Sequence, residues 1–261
     1  MSKDRATPIV LAAFGASSPR AREVYGEIEA RVRKTYPAHE IAWAYLSLRI
    51  IDKQRKLGVI LPALPEALQA LHNAGYSKAL VQPLLVVPGE EYATVKSATC
   101  AGLRIVVGEA LLSTAPDMDA AVDAVSPQVA TDAINVLVCH GNKRHPEFNA
   151  PLLRLKSAAE ARFKNLIVAS VEGEPGTEPL EEARRRSRQM GKAVFIPFMI
   201  VAGEHILNDV MGNEPSSWCM IVGAKDTLCV EPLGRNQAIL DIYLGHIESG
   251  LQKLKKECAN D

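Results

Sequence analysis

The second half of this 261-residue chain repeats the first. Residues 8–28 read PIVLAAFGASSPRAREVYGEI and residues 134–153 read INVLVCHGNKRHPEFNAPLL. Each passes from an apolar run through a glycine and a polar turn into a helix-like stretch. Setting Gly15 against Gly141 places Phe14 opposite His140. IAWAYLS (41–47) then matches LIVASVE (166–172) without a gap, with Ser47 opposite Glu172. QPLLVVPGEE (82–91) matches IPFMIVAGEH (196–205), with Glu91 opposite His205. One half therefore carries His, Glu and His at the ends of three apolar runs, where the other carries Phe, Ser and Glu. Two imidazoles and a carboxylate at strand ends suit a divalent transition metal.

The apolar runs lack polar alternation, so they read as strands buried on both faces. Strands are expected at 8–14, 41–47, 78–87 and 104–112, then at 134–139, 166–171, 193–201, 219–222 and 227–231. Helices are expected at 19–35, 64–75, 117–126, 147–163, 178–190 and 236–256. Pro19 follows the cap candidates Ser17 and Ser18, and Gly75 can close the second helix. Strands alternating with helices give an α/β fold of two similar lobes. Each lobe is a mainly parallel sheet flanked by helices, with an active-site cleft expected between them at the carboxyl ends of the strands. Proline and polar residues at 125–133 place the boundary there, giving an N-terminal lobe 1–128 and a C-terminal lobe 129–261 that carries the metal ligands. The charged end, LQKLKKECAND, is expected to fray.

Thirty basic and thirty acidic side chains leave no net charge, against a nucleic-acid binder. No run reaches the roughly 20 apolar residues that span a bilayer, so no membrane partner is expected. The start lacks a secretory h-region, and five cysteines without a CxxC pair form neither a disulfide framework nor a zinc finger. A reducing cytoplasm fits. No Walker loop, GxGxxG or GxSxG is present, which argues against nucleotide binding and serine hydrolysis.

His140 follows NVLVC and precedes Gly141; His145, five residues on, competes for its role. Glu172 lies in SVEGEPG, where Glu174 is the alternative. His205 begins HILND, with Asn208 and Asp209 three and four residues on, able to orient its ring. Glu90 and Glu91 pair two carboxylates that can accept protons, and Tyr92 beside them could stack on a flat ligand. Arg20, Arg22, Arg49, Lys53, Lys143 and Arg144 follow strand ends and would suit a polycarboxylate ligand.

The pattern FGxxxPxAR, the segment VQPLLVVPGEEY, the HG turn, SVEG and above all PFMIVAGEHxxNDxxGxxxxSW resemble the anaerobic sirohydrochlorin cobaltochelatases, class II chelatases of cobalamin synthesis. The resemblance runs from residue 8 to EPLGRNQAI (231–239). It implies two α/β lobes and insertion of Co(II) into sirohydrochlorin in the early-cobalt route, without ATP or an organic cofactor. It implies metal ligation by His140, Glu172 and His205. Glu91 joins these as a catalytic residue, and Arg20, Arg22, Glu90, Tyr92 and Lys143 as substrate-binding residues. The chain departs from the family at AYLSLR, which leaves the role of Arg49 open, and around Phe148. Fe(II) or Ni(II) insertion, and a non-catalytic metal or tetrapyrrole carrier, are the alternative readings. The sequence leaves a monomer or a homo-oligomer open.

Overall fold

The computed structural model describes residues 5–259. It contains two four-stranded parallel sheets, ordered β2-β1-β3-β4 and β6-β5-β7-β8. The first is built from β1 (Ile9–Ala13), β2 (Ile41–Tyr45), β3 (Lys78–Pro83) and β4 (Arg104–Val107). Its helices are α1 (Pro19–Thr35), α2 (Leu48–Arg55), α3 (Leu64–Asn73) and α4 (Glu90–Lys96). After α5 (Ala115–Val125) come β5 (Ile134–Cys139), α6 (Ala150–Arg162), β6 (Leu166–Ser170), α7 (Leu180–Met190) and β7 (Lys192–Pro197). A π-helical turn at His205–Val210, α8 (Trp218–Val222), β8 (Asp226–Cys229) and α9 (Gln237–Ala259) complete the chain.

The two sheets have the register that the sequence repeat requires. Ile9 pairs with Ile41 and Leu80; the equivalent Asn135 pairs with Leu166 and Val194. The first rungs beyond the strands also match. Leu84 N–H donates to Ala12 O at 2.7 Å, and Phe198 N–H to Val138 O at 2.8 Å. Every residue of β1 and β5 is buried, as central strands covered on both faces must be. One face of the first sheet packs Val10, Ala12, Ala79 and Val81 on Leu64, Leu68 and Leu71 of α3. One face of the second packs Val136, Val138 and Phe195 on Leu180, Ala183, Ile206, Val210 and Trp218.

The division into compact units differs from the expected boundary at 128/129. One unit is residues 1–111 with 240–261, and the other is 112–239. The helix after each fourth strand joins the other unit. α5 packs on α6, with an Asp123–Arg162 ion pair and an Asn236 amide donating to Ala124 O at 2.8 Å. α9 lies on the first sheet's unit: Tyr243 donates to Leu85 O and Tyr36 to Leu244 O, both at 2.9 Å. A Cβ on Gly250 would run into Leu80 of β3.

Three local expectations change. Residues 219–222 are helical, in α8, which Gly223 closes at φ 62°. The third strand of each half ends at Pro83 or Pro197, short of residues 87 and 201, with one further rung beyond it from Leu84 or Phe198. The end of the chain is helical past residue 251: α9 continues to Ala259 with Leu251 and Leu254 buried, and at this end residues 260–261 lie outside the described residues. Among the described residues no helix is long and apolar enough to cross a membrane.

The burial of Leu254 sets a direct check. Leu254→Ala is expected to lower the unfolding free energy by about 2–5 kcal/mol in a denaturant melt. An unchanged midpoint would mean that this last turn does not pack.

Candidate metal centre

His140 stands where β5 ends, one residue past buried Cys139. Burial inside the sheet pushes the Cys139 thiol up to about 12. The chain turns at Gly141, whose φ is 75°, matching Gly15 at φ 105° in the first half. A Cβ at Gly141 would run into the Glu172 carbonyl oxygen, so only glycine lets the loops after β5 and β6 meet this closely. Glu172 N–H donates to His140 O at 2.7 Å, and Ser47 N–H to Phe14 O at 3.1 Å. The pairs that the repeat aligns, His140 with Phe14 and Glu172 with Ser47, thus sit on the same backbone rung.

Asn149 holds the loop after His140. It is buried, its amide oxygen accepts the Asn142 N–H and its amide nitrogen donates to Asn142 O, both at 2.8 Å. Before Ala150-Pro151 an asparagine reads as a helix cap, but this side chain makes no cap bond. That local reading hides its role in the loop. His145, the competing histidine, has its Nδ1 3.4 Å from Glu147 and its ring centroid 5.9 Å from that of Phe148.

His205 opens the π-helical turn that follows β7. Its Nδ1 is 2.5 Å from Asp209 Oδ2. The His140 Nδ1 is 2.7 Å from Gly141 O. A carbonyl or carboxylate oxygen accepts, so Nδ1 is the donor in both contacts, and in a neutral ring Nε2 is the nitrogen with a lone pair for a metal. The two rings stand at 83° with centroids 5.1 Å apart.

Glu172 does not join them in a ready-made trio. Its side chain is exposed while its backbone is pinned, and no three His, Cys, Asp or Glu among the described residues are grouped to hold a metal. The structure therefore brings together two of the three expected ligands. Lys143 is exposed on the loop after His140.

The remaining candidates lie on the first unit. Glu90 and Glu91 form the first turn of α4 behind Gly89, a helix absent from the sequence expectations. Carboxylates there are favoured by the helix's N-terminal partial positive charge. The Tyr92 hydroxyl donates to Glu109 Oε2 at 2.5 Å, a partner with no sequence signal. The Glu109 carbonyl accepts from Gln82 Nε2 at 2.9 Å, and Gln82 is a buried amide where the second half has Ile196. Tyr92 is therefore anchored by its hydroxyl, which limits how its ring could move onto a flat ligand. Arg20 is exposed in the first turn of α1, and Arg22 is half-buried with Nη1 3.2 Å from Gln54 Oε1.

Residues 7–252 match the family model described as cobalt chelatase (CbiK). The chain belongs to that family. It is 26% identical over 273 residues to the sirohydrochlorin cobaltochelatase CbiKC of Nitratidesulfovibrio vulgaris, covering 94% of this chain and 91% of that protein. It is 28% identical over 235 residues to the sirohydrochlorin cobaltochelatase of Salmonella typhimurium, covering 85% and 88%. The fold is similar to that of SirB from Bacillus subtilis with Fe3+, with a TM-score of 0.65 at 12% identity over 96% of this chain and 98% of that one.

Asp209→Ala removes the acceptor that fixes the His205 ring. It is expected to weaken Co(II) binding about 10–100-fold in a calorimetric titration, with the thermal midpoint little changed. Unchanged affinity would show that the ring needs no such anchor.

Proposed function

We propose that this chain inserts Co(II) into sirohydrochlorin, in the anaerobic route to cobalamin and in the cytoplasm, with the metal ion as a substrate. The observation that carries the reading is the His140–His205 pair on a chain matched by the cobalt chelatase family from residue 7 to 252. Both rings have Nδ1 committed to a fixed acceptor. Neutral imidazoles bind borderline divalent ions and exchange them. That behaviour suits a site that must take an ion from water and release it to a macrocycle.

Insertion displaces two pyrrolic protons, so the protein must also accept protons. In this reading His140 and His205 hold Co(II) through Nε2, and His140 takes a pyrrolic proton once the ion has moved on. Glu172 serves as a third ligand or as the proton's next acceptor, which requires its exposed side chain to turn toward the rings. Glu91, assisted by Glu90, is a second proton acceptor. Arg20, Arg22 and Lys143 pair with the substrate's carboxylates, as guanidinium and ammonium groups do. ATP and an organic cofactor have no role in these steps, and no nucleotide-binding motif stands in the sequence.

The test is anaerobic incubation of the purified protein with sirohydrochlorin and Co(II), followed by visible absorbance against a protein-free control. Acceleration by the wild type and its loss in His205→Ala, with the fold retained, are expected. Equal turnover by His205→Ala would remove that residue from the mechanism. Parallel runs with Fe(II) and Ni(II) rank the metals, since N/O sites intrinsically favour Ni(II) over Co(II) over Fe(II). Tight tetrapyrrole binding without acceleration would make the chain a carrier instead.

A further inference from the structure

Phe14 has no part in the chemistry above, yet it occupies the slot that His140 fills in the second half. Its side chain can neither ligate a metal nor accept a proton. It is 46% exposed at the carboxyl end of β1. Leu48, next to the Ser47 that donates to the Phe14 carbonyl, is 70% exposed. Scattered exposed apolar side chains need no explanation, but this pair flanks a single hydrogen bond at a sheet's carboxyl end, where α/β folds bind ligands.

The turns beneath the pair are fixed. Ser47 Oγ accepts from Ile50 N–H at 3.4 Å and so caps α2, while Ser18 Oγ accepts from Ala21 N–H at 3.2 Å and caps α1. The Gln54 amide donates to Ser17 O at 3.2 Å and ties α2 to the turn after β1. A Cβ on Gly15 would come within 3.0 Å of Ile50, so α2 is seated closely on that turn. The second half has no counterpart of α2: only residues 173–179 separate Glu172 from α7, whereas residues 48–63 separate Ser47 from α3. Cationic side chains border the pair in sequence and on the same turns. Arg49 is exposed beside Leu48, and Arg20 and Arg22 lie in the first turn of α1.

An apolar centre with a guanidinium rim fits a ligand with a flat, unsaturated body and carboxylates at its periphery. We propose that Phe14 and Leu48 form the surface on which the flat face of the tetrapyrrole rests, and that Arg49 meets one of its carboxylates. This inference rests on the chelatase reading and adds residues to the substrate side of it. The two equivalent slots then have different roles, with His140 handling the metal and Phe14 the macrocycle.

Because Phe14 and Leu48 can only bind, their loss should touch one substrate alone. Phe14→Ala and Leu48→Ala are each expected to raise the KM for sirohydrochlorin about tenfold, in keeping with the loss of one stacking or apolar contact. Titration of the protein with sirohydrochlorin should show the same loss in Kd, while Co(II) affinity, the KM for Co(II) and the thermal midpoint stay at wild-type values. Phe14→Trp should restore binding, and Leu228→Ala, at an exposed apolar site on β8, should change nothing. Wild-type KM and Kd in both Phe14→Ala and Leu48→Ala would overturn the inference and leave the chelatase reading intact. A wild-type protein that neither binds sirohydrochlorin nor metallates it would overturn both.

Discussion

The rung that joins Glu172 N–H to His140 O closes the parallel pairing of β5 with β6, and much of the site depends on it. It fixes where the chain leaves the sheet, so His140 emerges at the strand's end instead of inside the ladder. The close approach is possible because Gly141 has no Cβ to meet the Glu172 carbonyl. The same rung, Ser47 to Phe14, stands in the first half with phenylalanine in the place of histidine. The scaffold is therefore indifferent to the side chain it presents. Function follows from what each slot carries, imidazole in one half and phenyl in the other.

The second constraint is on the imidazole rings. An unanchored histidine interconverts tautomers and rotamers, and metal binding must then select one. Here Gly141 O and Asp209 Oδ2 make that selection in advance by accepting from Nδ1. Ordering is done during folding, so less remains to be lost when the ion arrives. In the proposed reading, two ring ligands without a closed third position also suit an ion that must move on, whereas structural metal sites close their coordination shell.

Much of this was legible in the sequence, because a parallel sheet ties side-chain identity to register. Aligning Gly15 with Gly141 and the second and third apolar runs without gaps yields the observed pairings in both sheets, and so locates His140 and His205. Spacing to His205 offered both Asn208 and Asp209 as anchors, and Asp209 is the one in contact. Other features leave no such trace. An amphipathic helix declares a buried face but not which sheet it will cover, so the exchange of α5 and α9 between units could not be read locally. Five consecutive residues, Trp218–Val222, are too few for periodicity to separate a helix from a strand, and only the glycine that follows marks the end. Tyr92 looked like a free aromatic because its partner, Glu109, is distant in sequence. Glu172 was located correctly along the backbone, but backbone register does not set a side chain's direction, and the carboxylate is exposed instead of grouped with the rings.

The central claim is that His140 and His205 take the metal together through their Nε2 atoms. X-ray absorption at the cobalt edge, on protein loaded with one equivalent of Co(II), tests it most directly. The account predicts the scattering of two imidazoles in the wild type, falling to one in His140→Ala. A shell of oxygen ligands alone, unchanged by that substitution, would contradict it.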